Sequence, residues 1–256
     1  MEPGTLPSGR FSGRHFDSVT STNDVIRDLA RQKPGHDVYV TAAQQTAGRG
    51  RRGNKWASPA GNLYASFLLH PTCDVRFLPE LSFVAAVAVA DTLADILPDD
   101  CLIACKWPND ILVDRAKICG ILLETEHVAR NTLAVIIGIG INVEHYPSDT
   151  PYGATCVMEK GGSTDAANLG ARLAENLSAC CIAWERFGFT PIRNRWRDRA
   201  HGLGQPLVAR LANGDLAGTF RDLDEDGALL LDTPDGQTHR VTAGEVYQPA
   251  TSGRGD

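Results

Sequence analysis

The run Gly48-Arg49-Gly50-Arg51-Arg52-Gly53-Asn54-Lys55-Trp56-Ala57-Ser58-Pro59 spells G-x-G-x-x-G, and its reading decides between two classes of fold. In a dinucleotide-binding βαβ unit the third glycine opens a helix, and an acidic residue about 20 positions on holds the ribose. Here no helix can start across Pro59. Residues 68–73 hold no acid, and Asp74 is the nearest. The loop instead joins two β-rich segments, 37–43 (DVYVTAA) and 62–70 (NLYASFLLH). The dinucleotide reading fails.

Working outward, Ser21-Thr22-Asn23-Asp24 sets an N-cap and a Ser-x-x-Asp box before an amphipathic helix carrying Val25, Ile26 and Leu29. Downstream, 81–97 reads as a helix buried on most faces. Short strands follow at 101–106, 111–113 and 117–124, the first two separated by the turn Pro108-Asn109-Asp110. Residues 133–143 (LAVIIGIGINV) predict a central strand. Helices are predicted over 165–187 and 191–199, the second with proline at its first position. Strands mixed with separated helices predict an α+β fold, its mixed sheet largely antiparallel and flanked by helices. Past Gly202 the dipeptides Asn213-Gly214, Asp226-Gly227 and Asp235-Gly236 separate short apolar runs. That is hairpin chemistry of the type I′ kind and predicts a small SH3-like β-barrel. The organisation expected is a flexible N-terminal tail at 1–14, a catalytic domain at 15–202 and the barrel at 203–250.

Composition bounds the function. The 256 residues carry 25 Lys plus Arg against 31 Asp plus Glu, a net charge of −6, with 43% apolar and 22% charged residues. These are values of a folded globular protein. Residues 203–250 hold three arginines and eight acids, so the barrel is a poor partner for nucleic acid, which demands a basic surface. The longest uninterrupted apolar run, 83–90, is far short of the ~20 residues of a membrane span. Seven cysteines without C-x-x-C spacing, and no apolar leader at the N-terminus, predict reduced thiols in a cytoplasmic protein. Seven scattered histidines predict no dedicated metal site; His70, His127 and His145 receive no role.

The chemistry is concentrated in four stretches. Residues 49–55 place four cations among glycines. Glycine allows close backbone approach, and arginine offers forked donors for carboxylate and phosphate. The loop suits a negatively charged, phosphorylated small ligand. A merely solvated basic loop and an RNA-binding arginine–glycine segment are the other readings. Lys106-Trp107-Pro108-Asn109-Asp110 joins a cation, an aromatic, a turn and two short polar groups. Lys117-Ile118-Cys119-Gly120 sets a lone lysine beside a glycine at the mouth of an apolar strand. Gly138-Ile139-Gly140-Ile141-Asn142 puts two glycines in a buried strand, where each costs roughly 0.5–1 kcal/mol relative to alanine. Close approach of a ligand or backbone explains them better than strand stability does.

GRGRRGNKWASPAGNLYAS, KWPNDIL, KICGILLE and GIGINV, in this order and with STND upstream and a hairpin-rich C-terminus, closely resemble the biotin–protein ligase family over about residues 15–248. The resemblance implies the biotin/lipoate ligase catalytic fold, of class II synthetase type. It implies a two-step reaction in which biotin and ATP give biotinyl-5′-AMP and diphosphate, and the biotinyl group then passes to a lysine of a biotin carboxyl carrier protein. It makes biotin and ATP substrates, brings Mg²⁺ with ATP, and calls for no permanently bound cofactor. Only some 14 residues precede the match, so a monofunctional ligase without the family's DNA-binding domain is expected.

Carried over by position, Ser21, Thr22, Asn23 and Gln45 would bind the biotin ureido ring. Gly48, Arg49, Gly50 and Arg51 would line the biotin chain and carboxylate, with Trp56 beside the tail and Gly120 and Gly138 making room for the rings. Arg51 and Lys117 would be catalytic, Lys117 meeting both the carboxyl oxygen and the α-phosphate. Arg49, Arg51, Arg52, Asn109, Asp110, Lys117 and Asn142 would address ATP or the adenylate, Asp110 taking Mg²⁺ or the incoming amine. Arg52 reads equally as solvated, Lys106 equally as a lysine snorkelling at a strand end, and Trp107 and Cys119 as packing. Asn54 departs from the family, which commonly carries arginine there. The partner expected is a carrier domain, with neither nucleic acid nor membrane, and the chain is a monomer or homodimer. A lipoate ligase is the alternative enzyme and a biotin-sensing regulator the alternative outside enzymes; Thr22 and Gln45 suit a cyclic urea, which a dithiolane ring lacks.

Overall fold

The computed structural model describes residues 5–6, 10–32, 37–129, 132–148 and 153–248. An eight-stranded sheet runs in the order β1-β2-β3-β4-β8-β7-β6-β5. Its strands are β1 (Thr5–Leu6), β2 (Ser12–Val19), β3 (Val38–Gln45), β4 (Leu63–Leu69), β5 (Ile103–Lys106), β6 (Asp110–Val113), β7 (Ala116–Ala129) and β8 (Thr132–Ile141). Only β2 and β3 pair in parallel, and the remaining ladders are antiparallel. The mixed, largely antiparallel sheet is as expected.

Helix α1 (Thr22–Gln32) covers one face through Ile26 and Ala30, which meet Val38, Val40, Leu68, Ala134 and Ile136. The other face carries α2 (Glu80–Ala94), α3 (Ala166–Phe187) and α4 (Thr190–Arg197) over the larger core. Alternation along β8 divides it cleanly: Val135, Ile137, Ile139 and Ile141 face the larger core and Ala134 and Ile136 face α1. The stretch Val75–Ala94 does have the length and apolarity to cross a membrane, contrary to the reading from uninterrupted runs, yet it is mostly buried here as the helix at the centre of the core.

Two expectations change at the ends of the first domain. The tail does not extend to residue 14: Ser12–Val19 is a strand, and Phe11 is buried edge-on against Phe67 with centroids 5.2 Å apart. A Gly- and Ser-rich composition concealed a strand that pairs along its length with β3 and is anchored at its start by Phe11. Residues 1–4 and 7–9 of that expected tail lie outside the described residues. The capping box is not formed either. The Ser21 carbonyl accepts from Asp24 N and Val25 N, while the Asp24 carboxylate is held by Arg27 and Arg49.

The C-terminal segment forms a five-stranded antiparallel sheet in the order β12-β11-β10-β9-β13, from β9 (Pro206–Leu211), β10 (Gly214–Leu223), β11 (Leu229–Asp232), β12 (Thr238–Val241) and β13 (Glu245–Tyr247). Residues 249–250 of the expected barrel lie outside the described residues. Its hairpins are not type I′. Gly214, Gly227 and Gly236 have φ of 128°, 86° and 81°, and the residue before each stays out of the left-handed region. The two-residue hairpin with both residues left-handed is Asp114-Arg115, φ 48° and 69°, between β6 and β7. Asp114 compensates by accepting from Leu102 N and Lys160 Nζ, at 3.0 and 2.8 Å. The two sheets are clasped together. Trp107 Nε1 donates to Gly227 O at 3.1 Å, and Arg197 pairs with Asp222 at 2.6 Å.

Candidate active site

The floor of the site is three adjacent strands, β4, β8 and β7, at the end covered by the loop 47–61. Register places Tyr64, Gly140, Gly120 and Asp110 in one row across four strands, with Ser66, Gly138 and Leu122 in the next. The isoleucines between the glycines point into the larger core, so the glycines face the site. A Cβ on Gly140 would lie 2.5 Å from Trp56 Nε1, and one on Gly120 would lie 2.9 Å from Trp56 Cζ3. One on Gly138 would lie 2.5 Å from Asn23 Oδ1. Gly120 and Gly138, expected beside the biotin rings, both line the cavity. Protein side chains take the space of the absent Cβ atoms, Trp56 over Gly120 and Asn23 over Gly138.

Lys117 reaches this face because β7 is irregular. Ile111 pairs with Cys119 but Leu112 with Lys117, which leaves Ile118 as an extra residue. A bulge re-aims the side chains before it. Simple alternation would put Lys117 and Gly120 on opposite faces; here a Cβ on Gly120 would lie 3.6 Å from Lys117 Cε. Lys117 Nζ then sits 2.6 Å from Asp110 Oδ1 and 5.5 Å from the centroid of Trp56. Backbone bonds from Lys117 N to Gly153 O and from Thr155 N to Lys117 O fasten the segment after residue 152 alongside. Asn142 is buried and donates to Thr155 O at 3.0 Å, so it braces that same segment.

The arginine loop folds back on itself. Gly50 N donates to Asn54 O at 2.7 Å and Trp56 N to Gly48 O at 3.0 Å. Gly48 does not line the cavity: a Cβ there would collide with Ser58 Oγ and lie 2.5 Å from Trp56 O. Its role is to let the two arms of the loop close. Arg52, at φ 55°, is exposed and is not among the residues lining the cavity. Arg51 turns inward, its Nη1 donating to Asn109 Oδ1 at 3.1 Å, and Asn109 is held by donation to Ile121 O at 2.6 Å. Arg49 is claimed by a forked pair with Asp24 at 2.8 and 2.7 Å, so it ties the loop to α1.

These elements enclose a cavity of about 600 Å³ lined by Ser21, Thr22, Asn23, Gln45, Arg49, Gly50, Arg51, Trp56, Asn109, Asp110, Lys117, Gly120, Gly138 and Asn142 among others. Every expected site residue except Gly48 and Arg52 is therefore gathered in one place. Gly140, read with Gly138 as a position of close approach, lines it too, and others were not foreseen: Tyr64 and, from the small domain, Arg210 and Glu245. No local signal points to Arg210 or Glu245, which arrive by domain docking. The lining carries six cations (Arg49, Arg51, Lys55, Lys106, Lys117, Arg210) against Asp110 and Glu245. Burial draws both Arg51 and Lys106 below their ordinary values, with Arg52 adding to the first and Lys117 to the second. This is a site built for a polyanion, set in an acidic protein.

At the other end lies a buried polar chain. Thr22 N and Thr22 Oγ1 donate to Gln45 Oε1 at 2.8 and 3.1 Å, and Gln45 Nε2 donates to Ser58 Oγ at 2.9 Å. Ser66 Oγ, wholly buried, is 2.7 Å from Thr22 Oγ1 and 2.5 Å from Asn23 Oδ1. Asn23 Nδ2 donates to Glu124 Oε2 at 2.6 Å. Ser66 and Glu124 were not foreseen, although a serine facing inward on an apolar strand is a readable signal. The Trp56 indole, over Gly120 and Gly140, thus shares the floor of one cavity with this chain, whose Asn23 lies over Gly138.

Comparison with known proteins agrees with the division into two domains. Residues 15–142 match the biotin/lipoate A/B protein ligase family, and residues 202–247 match the biotin protein ligase C-terminal domain. A biotin–[acetyl-CoA-carboxylase] ligase of Paracoccus denitrificans is 37% identical over 233 residues, covering 89% of this chain and 96% of that one. The chain belongs to the biotin/lipoate A/B protein ligase family. Among solved structures, the biotin protein ligase of Aquifex aeolicus in complex with biotin and ATP superposes with a TM-score of 0.77 at 27% identity, covering 93% of this chain and 99% of that one. That of Leishmania major in complex with biotinyl-5-AMP gives 0.65 at 25%, covering 93% and 100%. In this ligase the eight-stranded domain carries most of the cavity, and the small domain completes its rim.

Proposed function

We propose that this ligase activates biotin with ATP and transfers it to a lysine of the biotin carboxyl carrier domain of acetyl-CoA carboxylase or a related carboxylase. The observation that carries the reading is one cavity with a urea-suited polar pocket at one end and converging cations at the other. In the first step a biotin carboxylate oxygen attacks the α-phosphorus of ATP, the bond from that phosphorus to the bridging oxygen breaks, and diphosphate leaves. Arg51 and Lys117 stand where an anion meets a polyanion and stabilise the charge that develops. In the second step the carrier's ε-amine attacks the acyl carbon, AMP departs, and the amine loses a proton. The loop 47–61 over the cavity limits hydrolysis of the mixed anhydride.

Thr22, Asn23 and Gln45 favour biotin over lipoate, because a cyclic urea offers N–H and C=O groups to them and a dithiolane offers none. Mg²⁺ would enter with ATP as part of the substrate. Asp110 and Glu245 are the carboxylates in the cavity lining that would be at hand for such an ion. All seven cysteines are unpaired, in keeping with a cytoplasmic setting.

The test is ATP–pyrophosphate exchange by the purified chain with biotin, with lipoate and with neither. Exchange that depends on biotin alone is the expected result. Exchange with lipoate would overturn the substrate, and biotin binding without exchange would move the reading to a sensor.

A further inference from the structure

The polar chain of the site is one hydrogen short, and a carboxylate outside it is the cause. Four oxygens follow one another: Asn23 Oδ1, Ser66 Oγ, Thr22 Oγ1 and Gln45 Oε1, separated by 2.5, 2.7 and 3.1 Å. Three contacts need three hydrogens, and the chain owns two, those of the Ser66 and Thr22 hydroxyls. Both ends are fixed as acceptors. Thr22 N donates to Gln45 Oε1, which fixes that amide. Asn23 Nδ2 donates to Glu124 Oε2, and a carboxylate can only accept. Were the Asn23 amide reversed, its NH₂ would face Ser66 and complete the chain internally, but its carbonyl oxygen would then face the Glu124 carboxylate.

We infer that Glu124 is a positioning residue for substrate choice: it locks the Asn23 amide so that the pocket stays deficient in donors and demands a ligand that brings N–H groups. This rests on the biotin reading, whose ureido ring carries two such groups. Glu124 is itself held from outside, by Arg27 Nη2 at 3.2 Å. Ser66 is wholly buried, while Thr22 and Asn23, each only a few per cent exposed, border the cavity, so a group seated in the cavity is what meets the chain.

The test compares biotin with the two cyclic carbamates in which one ring N–H is replaced by oxygen, using biotin-dependent pyrophosphate exchange by wild type, Glu124→Gln and Glu124→Met. Wild type discriminates against at least one carbamate by about 10²-fold or more, as sites built around a substrate N–H do. Glu124→Met has similar length but no acceptor. It frees Asn23 to turn, lowers the discrimination below about tenfold and raises the KM for biotin, while kcat stays within about threefold because the ureido contact is equal in ground and transition states. Glu124→Gln keeps an acceptor toward two donors and retains the wild-type ratio. Thermal unfolding of each variant shows that it is folded when assayed. Wild-type discrimination by Glu124→Met, a Glu124→Gln variant as indifferent as Glu124→Met, or an indifferent wild type each overturns the proposal. Wild type without biotin-dependent exchange overturns the biotin reading itself, a distinct result.

Discussion

Lys117 Nζ and Asp110 Oδ1 are 2.6 Å apart on neighbouring strands, and the ammonium is simultaneously 5.5 Å from the Trp56 ring centroid. One carboxylate uses one of its three N–H donors and fixes its position, leaving others for a ligand oxygen. Lys117→Ala is expected to lower biotin-dependent pyrophosphate exchange by at least about 10²-fold, the scale of one preorganised donor. Arg51→Ala, which empties the position braced by Asn109, is expected to do the same. Full exchange by either variant removes that residue from the reaction while leaving the fold as described.

Gly140→Ala tests the floor. Its methyl would sit 2.5 Å from Trp56 Nε1 over rigid strand backbone, so the indole must move. We expect a folded protein with shifted tryptophan fluorescence and a KM for biotin raised about tenfold or more, the effect of one misplaced wall group. Unchanged fluorescence and KM would show that Trp56 does not depend on the absent side chain.

Gly227 joins the domains under two constraints. Its φ is 86°, and a Cβ would lie 2.6 Å from the Phe83 ring. Gly227→Ala adds a left-handed penalty of about 1–2 kcal/mol to overpacking of about 1–3 kcal/mol. Urea denaturation should register a loss of about 2 kcal/mol or more by that sum; a loss below about 0.5 kcal/mol, the range of neutral surface changes, contradicts the clasp.

Asp37 links β3 to the chain's start. Burial opposes its charge, but hydrogen bonds from His70 and Arg10 hold its carboxyl below the ordinary aspartate value. A carboxyl depressed in the folded state stabilises above its unfolded pKa, about 3.9, and that contribution disappears as pH falls through the folded value. Urea midpoints of wild type should therefore fall as pH drops below about 4. Asp37→Asn should flatten that acid limb and begin from a lower midpoint at pH 7; parallel curves would dissociate Asp37 from acid sensitivity.

Asn54 lies on the cavity rim within the fold-back of the loop. Arginine there would add a seventh cation facing the adenylate. Asn54→Arg is expected to slow release of biotinyl-AMP by several-fold, about the worth of one exposed ion pair. Rapid-dilution measurements with equal release rates would show that this position does not control leakage.

Features with a local cause are legible in the sequence. The β-rich run 133–143 and its two glycines gave the strand, its centrality and the side on which a ligand or protein group comes close. The arginine loop was correctly placed between strands because Pro59 forbids the helix. What escaped depends on distant register. Nothing in KICG announces the bulge at Ile118 that turns Lys117 toward Gly120. Arg49 reads as a ligand-binding arginine until Asp24, 25 residues earlier, is seen to hold it. The turn chemistry misled for a physical reason too: tertiary bonds to Asp114 support a left-handed Asp-Arg pair, while the Asn-Gly and Asp-Gly pairs place only their glycine there.

The bare strands beneath Trp56 and Asn23 also fix the direction in which this pocket can be redesigned. Glycine is the smallest residue, so any change at 120, 138 or 140 adds volume and none removes it. The site can be narrowed from below in single steps but never deepened from below. An enlarged pocket for bulkier biotin analogues has to be opened from above, by trimming the indole of Trp56 or the amide of Asn23, which are the groups that fill the space the strands leave free.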